Sequence, residues 1–107
     1  MLTIANKRMN IADRILEQLG GARFLTMTGA RDVMALPNGL TLRLQRAAEQ
    51  GINSVVIRLD ATNDYTLLFN RRSRSGLDLH LIASAAGVRS SELAAVFTAK
   101  TGLDTHL

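Results

Sequence analysis

The residues best equipped for chemistry in this sequence are arginines. Arg71, Arg72 and Arg74 crowd into the string Arg71-Arg72-Ser73-Arg74-Ser75-Gly76. A guanidinium is planar, permanently charged and donates in a fork that matches phosphate or carboxylate. Three of them in a polar hairpin loop with serines and a glycine have the composition of a loop that follows a phosphate backbone. Arg43 and Arg58 occupy outward positions of two alternating segments and extend the basic patch over an open sheet face. Arg23 and Arg46 are further candidates whose direction the pattern does not set. Of 13 basic residues all but Lys7 and Lys100 are arginine; against 9 acidic residues they leave a formal charge of +4. That balance fits a polyanionic partner such as nucleic acid, with arginine-rich coding bias as the competing explanation. It excludes a mimic of DNA, which would be strongly acidic.

Other chemistries find little to build on. The absence of cysteine removes disulfides, thiolate metal sites and a cysteine nucleophile. Two histidines, His80 and His106, are too few and too far apart for a metal centre. His80 lies two residues from Asp78 on one strand face, a pair that can tune a base, but no GxSxG elbow accompanies it. Ser84, Ser90 and Ser91 read as turn and cap residues. The carboxylates are scattered singly, and the glycines match neither GxGxxG nor GxxxxGK[ST]. No catalytic residue, no cofactor, no metal and no small-molecule substrate is therefore expected. The aromatics are few: Phe24, Tyr65, Phe69 and Phe97. With Phe69, Phe97 and Tyr65 assigned to the core, a base-stacking platform of the kind RNA-binding sheets expose is disfavoured.

The elements that would position these arginines are read from periodicity. Asn10 to Leu19 is a helix: Asn10 caps it, Asp13 suits the dipole, and Ile11, Ile15 and Leu19 share a face with Ala12 and Leu16. Gly20-Gly21 stops it. Four stretches then alternate with period two, the strand signature. They are Leu40/Leu42/Leu44, Val55/Ile57/Leu59, Tyr65/Leu67/Phe69 and Leu77/Leu79/Leu81, each with its odd-numbered or even-numbered set turned inward. A weaker pair covers Arg23 to Thr28 and Asp32 to Leu36, with Gly29-Ala30 between. Pro37-Asn38-Gly39 is a tight turn; Ala61 to Asp64 and Arg71 to Gly76 are polar connections. Arg46 to Asn53 reads equally as a helical turn or a longer loop. Ser91 to Thr101 is a closing helix, capped by Ser90, with Leu93, Val96 and Phe97 on one face and Gly102 ending it. The expected fold is a two-layer α+β domain, an antiparallel meander of about five strands with an N-terminal and a C-terminal helix on one face.

At 107 residues the chain holds one domain, with residues 1–9 as a flexible N-terminal arm. No apolar run reaches the length of a membrane span, and the first ten residues lack the apolar core of a secretory signal. A cytoplasmic location without membrane partners is expected. The alternation also turns Val56, Leu68 and Ile82 outward, among Thr41, Thr66, Arg43 and Arg58. Such a stripe is a candidate surface for a protein partner or a second copy, unless a loop or terminus covers it.

Several strings, taken in order, resemble a widespread family of small proteins encoded by phages and other mobile elements. They are Ile15-Leu16-Glu17-Gln18-Leu19-Gly20-Gly21-Ala22-Arg23-Phe24, Met27-Thr28-Gly29-Ala30, Asn38-Gly39-Leu40 with Arg43-Leu44, Gly51-Ile52-Asn53, and Phe97-Thr98-Ala99-Lys100-Thr101-Gly102-Leu103 with Thr105. The resemblance runs from about Ile15 to Leu107 and implies no established activity and no catalytic residue. Where the family shows a tyrosine and a Gly-Lys or Gly-Arg loop, this chain has Tyr65 but Asn70-Arg71-Arg72. The expected function is a non-enzymatic accessory binding module that contacts nucleic acid through arginines. The alternative is a protein-interaction or self-assembly module acting through the open sheet face.

Overall fold

The computed structural model describes residues 10–44, 49–73, 75 and 77–103. The expected N-terminal arm, Arg46, Arg74 and His106 lie outside them. The domain is α+β. Five antiparallel strands follow one another across the sheet: β1 (Ala30–Leu36), β2 (Gly39–Leu44), β3 (Ser54–Leu59), β4 (Tyr65–Arg72) and β5 (Leu79–Val88). Helices α1 (Ile11–Leu19), α2 (Ala22–Thr28) and α3 (Leu93–Thr101) supply the second layer.

Local chemistry accounts for most boundaries. The Asn10 side chain accepts from the Asp13 N–H at 2.8 Å, capping α1. Gly20 ends it, its N–H donating to the carbonyls of Leu16 and Glu17. Pro37 and Asn38 form the β1–β2 turn. Gly102 closes α3 in the left-handed region at φ 76°, and Leu103 folds back onto the core. Ser90 does not cap α3. A 3₁₀ turn, Ser90–Glu92, precedes the helix, and the Glu92 carboxylate accepts from the Arg89 N–H at 3.1 Å.

One core joins the layers. Ile15 and Leu19 of α1, Phe24 of α2 and Leu93 and Phe97 of α3 are buried with Leu40, Leu42, Val55, Ile57, Leu67 and Phe69 of the sheet. Phe97 sits at the centre, edge-on to Phe24 at 5.0 Å and tilted against Phe69 at 6.2 Å between ring centroids. Leu16 and Val96 pack against the same cluster. The helices therefore cover one sheet face, and the other is open.

Several expectations are corrected. Arg23–Thr28 is not a strand: Ala22–Thr28 is helical, with Phe24 and Thr28 buried one turn apart and the Thr28 hydroxyl donating to the Phe24 carbonyl. Gly29 is its left-handed cap rather than a hairpin turn. Arg71 and Arg72 are not in a loop, since β4 continues to Arg72 and β5 pairs with it. The inward face assigned to Leu77, Leu79 and Leu81 is also wrong. They are 87%, 55% and 59% exposed. Phe69 pairs with Ala83 and Asn70 with Leu81, so Ile82 is an extra residue in β5. A bulge of one residue reverses the parity of everything beyond it. Ile82, expected outward, packs against the core; Leu79 and Leu81 turn out onto the open face. Ser84 lies within the strand, opposite Leu68.

Candidate functional site

Antiparallel register places Cα partners on the same face, so the open face can be read row by row. One row is Arg31–Arg43–Ser54–Asn70–Leu81. The next, towards the β4–β5 loop, brings Arg72 opposite Leu79. Arg31, Arg43 and Arg72 thus approach one corner of the sheet, and all three line an open groove of about 280 Å³ with Asp32, Asn53 and Ser73. A second groove of about 390 Å³ adjoins it and shares Asp32, Arg43 and Arg72.

Two devices build this corner. The first is the β1 bulge. Register slips between Arg31 and Met34, and Asp32 takes φ 52°. Aspartate tolerates the left-handed region better than most side chains, and a bulge re-aims the residue it carries. The Asp32 carboxylate stands 3.6 Å from Arg31 Nε and 3.8 Å from an Arg43 guanidinium nitrogen. These are the ion pairs among the described residues. The second device is Asn53. Its amide donates to the Arg72 carbonyl at 3.0 Å and its side-chain oxygen accepts from the Arg72 N–H at 2.8 Å. The Asn53 backbone also joins Leu44 and Asn70. A side chain thus stands in for a further residue of β3 and clamps the end of β4, where Arg72 leaves the ladder.

The expected arginines divide. Arg43 and Arg72 share the groove. Arg31, assigned no role by the sequence, is the third member. Arg58 is on the open face but in the row Gly39–Arg58–Thr66; four residues along β3 from Ser54, it is about 13 Å away along the strand. Arg71 alternates onto the helix-side face and runs past Gly51, where an added Cβ would stand 3.0 Å from Arg71 Cδ. Arg23 is exposed on α2. The β4–β5 connection is knit by its serines: the Ser73 hydroxyl accepts from the Asp78 N–H and lies 3.1 Å from that of Ser75, which accepts from the Leu77 N–H.

Of the expected interface residues, Val56 and Leu68 lie side by side in the row Met34–Thr41–Val56–Leu68–Ser84 and are half-buried. Ile82 is not with them. Phe24, Tyr65, Phe69 and Phe97, every aromatic in the chain, are buried, so the open face offers no ring for base stacking. His80 is exposed and no ion pair joins it to Asp78 among the described residues. Among those residues no cluster of three or more histidines and carboxylates could hold a metal, and no helix is long and apolar enough to cross a membrane.

What the corner can do is bind an anion. Three guanidinium groups against one carboxylate leave two positive charges in a concavity open to solvent. Comparison with protein-family models, curated proteins and solved structures finds no match for this chain.

Proposed function

We propose that the protein is a non-enzymatic accessory binding module, of the phage and mobile-element type its sequence resembles, that grips the phosphate backbone of nucleic acid in the Arg31–Arg43–Arg72 groove. The observation that carries this reading is the direct opposition of Arg31 and Arg43 across β1 and β2. Like charges at opposed positions repel, and the one carboxylate between them, Asp32, offsets only part of the charge of Arg31, Arg43 and Arg72. An arginine cluster left with excess positive charge and facing a concavity has the features of a binding site. The lack of exposed aromatics directs the reading towards phosphate contacts rather than base stacking, hence towards affinity with little sequence preference.

The test is a salt titration of duplex DNA binding. If the three arginines each neutralise one phosphate, log affinity falls with log salt at a slope of about −2.7. Replacing Arg31, Arg43 and Arg72 together by alanine abolishes binding equally for unrelated sequences and leaves the melting temperature unchanged or raised. No complex at low salt, or undiminished affinity in the triple variant, refutes the reading.

A second reading has its own observation. Met34, Leu79 and Leu81 are 62%, 55% and 59% exposed on the face that also carries Val56 and Leu68. That face is then a surface for a protein partner or for self-association.

A further inference from the structure

We propose that Asp32 is a built-in competitor for the groove, an internal anion that occupies its arginines until a phosphate oxygen displaces it. The inference rests on the phosphate-binding reading and adds to it a device that sets the affinity. Asp32 lines both grooves together with Arg43 and Arg72. It reaches that place through a positive φ within an edge strand, at the bulge that separates the Arg31 and Met34 pairings. Backbone held this way at a charged side chain aims the carboxylate between two guanidinium groups.

The grip is loose. Charge-assisted hydrogen bonds between arginine and carboxylate close to about 2.7–2.9 Å, whereas Asp32 stands at 3.6 Å and 3.8 Å. The three side chains are between 50% and 57% exposed. Ion pairs so exposed hold weakly. The forks of Arg31 and Arg43 are therefore shielded but not consumed. A phosphodiester oxygen offered to either fork can close to full hydrogen-bond distance, and Arg72 takes a neighbouring phosphate. On its arrival Asp32 turns out to solvent, and the groove presents three positive charges instead of two.

Asp32→Asn tests this. Asparagine tolerates the same left-handed backbone but carries no charge. Glu17→Gln removes one negative charge from α1, in the opposite layer, and controls for net charge. Duplex DNA binding is measured across a salt series for wild type and both variants. Asp32→Asn is expected to bind severalfold more tightly at low salt with the wild-type slope, since the same three arginines neutralise the same phosphates once Asp32 has turned away, while Glu17→Gln follows wild type. If wild type binds but Asp32→Asn binds equally or more weakly, the carboxylate orients the arginines or is idle, and the inference fails alone. An equal gain in Glu17→Gln also overturns it, leaving the groove intact. If neither wild type nor Asp32→Asn binds, the phosphate-binding reading falls with it.

Discussion

On the helix-covered face, the row Ala35–Leu40–Ile57–Leu67–Ala85 crosses all five strands, and its three middle residues are fully buried. On the open face, the adjoining row Met34–Thr41–Val56–Leu68–Ser84 crosses all five, and none of its residues is buried. The same hydrogen-bonded ladder holds both rows. One face excludes water and is intolerant of change; the other meets water, which screens charges that the first could never hold. Arg31 and Arg43 can stand opposed because their heads are solvated and the Asp32 carboxylate lies between them. Stability should therefore be carried by the covered face and binding by the open one, and four substitutions probe that division.

The largest effect belongs to Phe97. Its ring is fully buried between α2 and β4, against Phe24 and Phe69. Phe97→Ala removes the side chain that joins both layers and should cost about 3–5 kcal/mol. Chemical denaturation measures it. A loss below about 1 kcal/mol would mean that the layers are not held together here.

The next effect qualifies the division. Gly39 lies on the open face, yet it is closed by backbone: an added Cβ would stand 2.0 Å from the Ile57 carbonyl oxygen and 2.9 Å from Arg58 Cα. No rotamer relieves that clash, since β3 itself must move. Gly39→Ala should destabilise by about 1–3 kcal/mol or more. A melting temperature equal to wild type would show that β2 and β3 do not approach this closely.

Much of this was legible in the sequence, and what was not has identifiable causes. Alternation located β2, β3 and β4 because each has one dry and one wet face. Asn10, Gly20, Pro37-Asn38 and Gly102 marked boundaries through their own chemistry. Alternation failed where the ladder carries an extra residue. Nothing in Leu79-His80-Leu81-Ile82-Ala83 marks Ile82 as the bulge, since the leucines look equally apt for either face. The helix Ala22–Thr28 was hidden because it is short and buries only Phe24 and Thr28, a spacing too sparse to set a period, with strand-favouring Phe and Thr among its seven residues. Two of the groove's three arginines, Arg43 and Arg72, were legible as part of an arginine patch. Arg31 was missed because it precedes a bulge in an edge strand that buries no residue, leaving no alternation to say where it points. Arg71 was included because a loop reading ignores alternation, whereas a strand sends it and Arg72 to opposite faces.

The smallest effect should come from Leu81. Were it inward, as its alternation with His80 suggests, Leu81→Gln would bury an amide in a core and cost several kcal/mol. With Leu81 59% exposed and opposite Asn70 on the open face, the change should stay within about 0.5 kcal/mol. Ile82→Ala, one residue on and packed against the core, should cost about 1 kcal/mol. The order of the two therefore reports the bulge directly. The Leu81 variant also separates the two functional readings, because it leaves the arginines in place. If nucleic acid is the partner, Leu81→Gln binds DNA as wild type does and both sediment as monomers. If the open face instead mates with a second copy, wild type sediments as a dimer at high concentration and Leu81→Gln shifts towards monomer. Burial of three or four side chains returns only about 25 cal/mol per Å² against a large association cost, and the arginines of two such faces repel. Such a dimer would be weak and would strengthen with salt, whereas phosphate binding weakens with salt.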